Sequence, residues 1–240
     1  MAVTEAIIIE NVRIAEGIWR MRLTGAPQGK PGQFVMLRIP GALDPFLGRP
    51  ISLNDSEGDE LTLLYQVVGH GTAVFSTLRP GQAMDVQGPY GNGFPLIPGD
   101  AVVIGGGIGT APLYLLVKRM REEDPKRRID VYLGFREEAY GVDDFKTYAD
   151  NVHVNIGGFV TKDVDFSRNA TYYACGPSPM LRAAAQDAQA KNARLYVSLE
   201  RHMACGVGAC LGCTCKTARG SKRVCKDGPV FDYTEVLHVL

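Results

Sequence analysis

The stretch RHMACGVGACLGCTCK, residues 201 to 216, places four cysteines within eleven positions, and Cys225 follows after a basic run. No other feature restricts the fold so much. A segment this rich in cysteine and glycine has too few apolar residues for a core of its own, so it needs a metal or a neighbour. Cys205, Cys210 and Cys213 follow C-x4-C-x2-C, the plant-type [2Fe-2S] spacing, and Cys225 lies eleven intervening residues further on. Gly206, Gly208 and Gly212 supply the backbone freedom a loop needs to wrap such a centre. Zinc is the competing occupant. Structural zinc sites commonly pair two C-x2-C-like knuckles, and here only Cys210 and Cys213 form one. The spacing therefore favours iron and sulfur, with Cys205, Cys210, Cys213 and Cys225 as ligands and Cys215 as a packed strand residue.

The rest of the chain divides into two rhythms. From Thr4 to about Gly93, the runs AIIIENVRI, IWRMRLTG, QFVMLRIPG, RPISLND, LTLLYQVVG and AMDVQGPYG alternate with Gly and Pro, which predicts a six-stranded antiparallel sandwich or barrel. One short helix is expected over TAVFSTL, residues 72 to 78. Beyond Pro98, DAVVIGGGIGTAPLYLLVKRMREED reads as strand, glycine turn and helix, with Leu113, Leu116, Val117 and Met120 on one face. IDVYLGF, NVHVNIGGF, TYYACGPSPMLRAAAQDAQAK and RLYVSLE continue the alternation, as in a doubly wound parallel sheet. The expected fold is thus a β-barrel plus α/β chain with units at 1–97, 98–197 and 198–240.

With 26 basic and 26 acidic residues, no overall field selects nucleic acid or an anionic membrane. The opening MAVTEAIIIENVR holds only a three-residue apolar run, far short of a signal peptide core or membrane span, so a cytoplasmic protein is expected. In a reducing cytosol, clustered thiols bind metal more readily than they form disulfides.

Two glycine turns follow strands and precede helices. VVIGGGIGTAP carries Gly105, Gly106, Gly107, Gly109 and Thr110, where backbone can approach a pyrophosphate, although Thr110 stands where the strict dinucleotide fingerprint has its third glycine. CGPSPM presents Cys175, Gly176 and Pro177 at the carboxyl edge of the expected sheet, with Pro177 and Ser178 opening and capping the next helix. Cys175 suits a core position equally well. In the barrel segment, Arg49 and Ser52 of RPIS offer a charged fork and a hydroxyl to phosphate, and Gly71 and Thr72 of GHGT begin the short helix.

RPIS, GHGT, GGGIGTAP, CGPSPML and ERHMACGVGACLGCTCK…VCKDGPVF, in that order and over essentially the whole chain, resemble the ferredoxin-reductase superfamily. Within it they are most similar to the electron-transfer subunits of type B dihydroorotate dehydrogenases. The wider reductases carry R-x-Y-S; Ile51 fills the tyrosine slot here, as in the dihydroorotate dehydrogenase subgroup. Related subunits of NADPH-ferredoxin oxidoreductases tend to have aspartate where this chain has Cys205. The resemblance implies FAD held by Arg49, Pro50, Ile51, Ser52, Gln66, Val67, Val68, Gly71 and Thr72. It implies NAD over Gly105 to Thr110 and near Cys175, Gly176 and Pro177, and a [2Fe-2S] cluster on the four thiols.

It further implies a heterotetramer with an FMN-containing catalytic subunit, two copies of each, that oxidises dihydroorotate in pyrimidine (UMP) biosynthesis. No side-chain acid or base is required, since the cofactors carry the chemistry. Two other functions fit the residues: an NAD(P)H-dependent reductase serving ferredoxin or a sulfur-reducing partner, and a zinc-stapled binding module without activity. GFREE offers both Arg136 and Glu137 or Glu138 at the position that selects NADP or NAD, so NAD rests on the family likeness.

Overall fold

A computed structural model describes residues 3–240. Six strands, β1 (Val3–Ala15), β2 (Ile18–Thr24), β3 (Phe34–Arg38), β4 (Arg49–Glu57), β5 (Glu60–Gln66) and β6 (Ala83–Tyr90), close into an antiparallel barrel in the order β1-β2-β5-β4-β3-β6. Alternate residues point inward and exclude water completely: Ala6, Ile8, Met21, Leu23, Val35, Leu37, Leu53, Leu61, Leu63, Met84 and Val86 are each 0% exposed. One barrel end is stoppered by α1 (His70–Phe75). Buried Asn11 donates to the carbonyls of Phe75 (2.8 Å) and Leu78 (3.0 Å) and accepts from the Tyr65 hydroxyl (3.0 Å), so the stopper costs no unpaired polar group. The helix begins two residues before the expected start. The Thr72 hydroxyl accepts from the Val68 and Gly69 N–H groups, which fixes the first turn at His70 rather than at Thr72.

The second sheet contains β7 (Ala101–Gly106), β8 (Ile129–Phe135), β9 (Asn151–Ile156), β10 (Thr171–Cys175), β11 (Arg194–Ser198) and β14 (Val230–Asp232) in the order β14-β11-β10-β7-β8-β9. Five strands are parallel, as the alternating pattern predicts. The sixth, β14, runs antiparallel on β11 and comes from the far side of the cysteine segment. The helices α2 (Ala111–Glu123) and α4 (Ser178–Lys191) follow β7 and β10, and short α3 (Val142–Lys146) precedes β9. Leu113, Leu116, Val117 and Met120 of α2 are all 0% exposed against the sheet. The opposite side of that helix is buried as well, because it seats on the barrel: Leu115 enters the barrel core, Asn54 donates to the Ala111 carbonyl (2.9 Å), and Lys118 Nζ reaches Asp55 (2.9 Å) and Glu57 (2.6 Å).

Between β11 and β14, a loop carrying Cys205, Cys210 and Cys213 leads into the hairpin β12 (Thr214–Thr217) and β13 (Gly220–Arg223) and the single turn α5 (Val224–Asp227). The turn α6 (Tyr233–Val236) closes behind β14. Cys213, Cys215 and Cys225 share one apolar cluster with Phe34 and Met36 of the barrel and with Leu195, Val197 and Phe231 of the sheet. The cysteine segment thus borrows its core from both neighbours, as a unit of its size must. No helix is long and apolar enough to cross a membrane among the described residues.

Candidate functional site

In the parallel sheet the chain leaves β7 toward β8 on one side and returns to β10 on the other, so a topological switch point lies between β7 and β10. Both glycine turns sit there, since Gly105 and Cys175 are register partners. A side chain at Gly109 would lie 2.5 Å from the Gly176 Cα and 2.6 Å from the Cys175 carbonyl oxygen, and one at Gly106 would meet Met180 Sδ at 2.6 Å. These glycines let the two turns interlock. Gly107 differs: its φ is +54°, and nothing lies within 4 Å of where a Cβ would stand. The crest of the first turn is therefore bare backbone open to a ligand, braced from below by the Thr110 hydroxyl donating to the Gly107 carbonyl at 2.9 Å. The second helix starts at Ser178, so Ser178 is its first residue rather than its cap, and the Pro177 carbonyl accepts from Met180 N at 2.9 Å.

A cavity of about 970 Å³ opens between the barrel, the switch point and the chain after β11. Such a volume lies at the large end of small-molecule sites, as an extended nucleotide requires. Arg49, Pro50, Ile51, Ser52, Gln66, Val68, Gly71 and Thr72 line it, together with Ile108 and Cys175 from the sheet. Val67 does not; it packs against the barrel core. The guanidinium of Arg49 lies directly over Gly71, where any Cβ would fall 2.2 Å from Nε. Arg49 donates to the Leu47 carbonyl, and no carboxylate pairs with it among the described residues. A cation on a cavity wall with no carboxylate bonded to it suits a phosphate. The RPIS and GHGT motifs are thus one structure, with the glycine serving the arginine.

Sequence reasoning missed the wall formed by Ser198, Leu199, Glu200, His202 and Met203, together with Phe46 and Pro229. These residues carry no spacing signal, because only the tertiary fold brings the end of β11, the chain after it, Phe46 and Pro229 to the cavity that Arg49–Ser52 also line. Burial, with a further contribution from Glu200, raises the Cys175 thiol far above its ordinary range, so it faces the cavity protonated. Glu200 is reachable through the cavity mouth, yet the surrounding protein raises its carboxyl too.

The cysteines form two pairs. Cys205 Sγ accepts from the backbone N–H groups of Cys210 (3.4 Å) and Val207 (3.5 Å), and the Cys210 side chain touches it. Burial opposes ionisation there, but these donors outweigh it and hold the Cys205 thiol down to about 6. Cys213 Sγ accepts from Cys225 N at 3.4 Å, and burial together with the neighbouring Cys213 pushes the Cys225 thiol up to about 12. A two-iron cluster asks for two thiolates per iron, and the paired thiols with N–H groups aimed at sulfur meet that demand.

A flavin-sized cavity on an antiparallel barrel, a glycine-lined switch point on a parallel sheet and a thiol quartet beside both define a ferredoxin-reductase-type electron-transfer chain. Its structure superposes on that of an NADH-dependent reduced ferredoxin-NADP oxidoreductase with a TM-score of 0.85 at 28% identity, covering 98% of this chain and 90% of the other. Residues 200–237 match the family described as the iron-sulfur cluster binding domain of dihydroorotate dehydrogenase B. The chain is 39% identical over 236 residues to the dihydroorotate dehydrogenase B (NAD(+)) electron transfer subunit of Clostridium perfringens, covering 95% of each. It is 40% identical over 248 residues to that of Geobacillus kaustophilus, covering 93% of this chain and 94% of the relative. The chain belongs to the family of dihydroorotate dehydrogenase B electron transfer subunits.

Proposed function

We propose that this chain carries electrons from the FMN of a dihydroorotate dehydrogenase catalytic subunit to NAD+ in pyrimidine biosynthesis, through a [2Fe-2S] centre and FAD. The observation that supports it is the single assembly of an arginine-bearing cavity, a bare glycine crest and two thiol pairs on three adjoining units. When bound, nicotinamide exchanges electrons only as a hydride, the cluster only singly, and flavin in either way, which makes FAD the necessary intermediary.

In this reading Arg49 binds the FAD pyrophosphate, and Pro50, Ile51, Ser52, Gln66, Val68, Gly71 and Thr72 shape the remainder of that site. Gly105, Gly106, Gly107, Gly109 and Thr110, with Cys175, Gly176 and Pro177, hold the nicotinamide nucleotide against the same cavity. Cys205, Cys210, Cys213 and Cys225 ligate iron as thiolates, so Cys225 gives up its proton when the centre is built. Cys175, buried and protonated on the cavity wall, would stand as a neutral neighbour to the nicotinamide when it is bound. The complete enzyme has two copies of each subunit and works in the cytoplasm.

An anaerobic absorbance spectrum of the purified chain, with iron, sulfide and flavin assayed on the same sample, tests the proposal. About two irons and one FAD per chain, bleached by NADH, are expected, and dihydroorotate alone should bleach nothing until the catalytic subunit is added. Bleaching of the lone chain by dihydroorotate, or zinc without flavin, would refute it.

A further inference from the structure

The strand β3 is buried on both faces, and the two faces serve different cores. Val35 and Leu37 point into the barrel, whereas Phe34 and Met36 point outward into the core shared with Cys213, Cys215 and Cys225. Phe34 lines the large cavity. Two residues along the same face, Met36 meets the cysteine loop: a Cβ at Gly206 would stand 2.7 Å from Met36 Cγ, 3.0 Å from Met36 Sδ and 3.4 Å from Tyr90 Cδ2. Tyr90 in turn meets Phe34 edge to face, with ring centroids 6.1 Å apart. Residues i and i+2 of a strand are roughly 7 Å apart, so the cavity and the residue next to Cys205 are separated by about one layer of side chains.

We propose that Met36 is a positioning residue for electron transfer, a seat that holds the Cys205 side of the thiol loop against the wall of the flavin cavity. This rests on the cofactor assignment above. The chain also joins the two places covalently, since cavity-lining Met203 lies two residues before Cys205. That link fixes connectivity but not distance, because Gly206 and Gly208 sit at φ +69° and +81° in a loop with no regular structure. A buried, unbranched thioether that is 2% exposed sets the distance by contact. Gly206 is required at that point, since any side chain would lift the loop away.

The test compares Met36→Ala and Met36→Leu in the full cofactor-loaded chain. NADH gives a hydride to the flavin and leaves as NAD+; the flavin then passes one electron to the oxidised cluster. Anaerobic stopped-flow absorbance reads the first event, and freeze-quench electron paramagnetic resonance reads the appearance of reduced cluster. In Met36→Ala, flavin content and flavin bleaching should be unchanged while cluster reduction slows several-fold. Met36→Leu refills the space and should recover the rate to within about twofold. Loss of iron from Met36→Ala with flavin retained, repaired by Met36→Leu, also supports the seat. Wild-type cluster reduction in Met36→Ala, or equal impairment in Met36→Leu, would overturn it. A wild-type chain lacking flavin or iron would overturn the cofactor assignment as well, which separates the two failures.

Discussion

Gly71 and Arg49 lie 22 positions apart in the chain, yet neither motif works alone. Because the guanidinium occupies the space a Cβ would need, Gly71→Ala forces Arg49 off its seat while the barrel core stays intact. We expect FAD affinity to fall by about tenfold, equivalent to ~1.4 kcal/mol, with little change in the unfolding midpoint of the flavin-free chain, measured by flavin fluorescence and by urea titration. Asp130 illustrates the other kind of residue, structural and far from the site. Burial alone would raise its carboxyl, but Asn151 and Arg168, each bonded to it at 2.6 Å, outweigh burial and lower it. The unfolded chain then takes up the proton more readily, so this contribution is complete above the ordinary carboxylate range and is lost as pH falls through the lowered folded value. The urea midpoint should therefore decline below about pH 4, and Asp130→Asn should lower the midpoint at neutral pH while flattening that acid decline.

Among the elements, α2 decides how the two large units sit together. An ordinary surface helix would bury one stripe, but this one carries Leu113, Leu116, Val117 and Met120 on the sheet side and Leu115 and Lys118 on the barrel side. Lys118 is 5% exposed and bonded to two carboxylates of β4, while Arg119 donates to the Ser56 carbonyl at 2.6 Å. Breaking a buried ion pair by removing one partner leaves uncompensated charge. Glu57 is largely solvated, so the penalty falls below the fully buried case, and we expect Lys118→Met to cost about 2 kcal/mol. Calorimetry checks this: the parent should melt in one transition and the variant in two, with the barrel and sheet melting separately, whereas a uniform shift of one transition would show that the apolar contacts suffice. The cavity spans this same joint, so the variant should also bind FAD more weakly.

At the scale of the whole molecule, the cysteine segment is woven into the nucleotide sheet instead of hanging from it. β14 extends the sheet beyond β11, Leu199 N donates to the Pro229 carbonyl at 2.9 Å, and Asn92 N donates to the Gly228 carbonyl at 2.5 Å, tying barrel, sheet and thiol loop at one seam. A chain truncated after Val197 would expose the β11 edge and the apolar surface that Phe231, Tyr233 and Val236 cover. It should aggregate, as light scattering would report. Chelating the iron from the full chain is the gentler perturbation. Hydrogen exchange should then quicken over residues 203–213, while β7, β10 and β11 remain protected, because apolar side chains of the sheet and its helices make up most of their cores.

The sequence by itself determined the elements and the chemistry. Period-2 runs between Gly and Pro specified the barrel strands, the switch to strand, turn and helix specified the parallel sheet, and the thiol spacing selected a two-iron centre over zinc. Each is a local property, set by side chains near one another along the chain, and local pattern is what periodicity and spacing encode. Tertiary structure alone decided the rest. β14 could not be read as a sheet strand, because its partner β11 is more than thirty positions away and three residues carry no period. Ser198, Glu200 and Met203 joined the cavity only through packing. Cys215 lies among apolar side chains, with burial raising its thiol, while Cys213, two positions before it, pairs with Cys225. Met36 reads as one more apolar residue in a strand, and only the folded chain shows its side chain turned out of the barrel to meet Gly206. Contacts between distant segments follow from how surfaces exclude water together, and no single stretch of sequence records that.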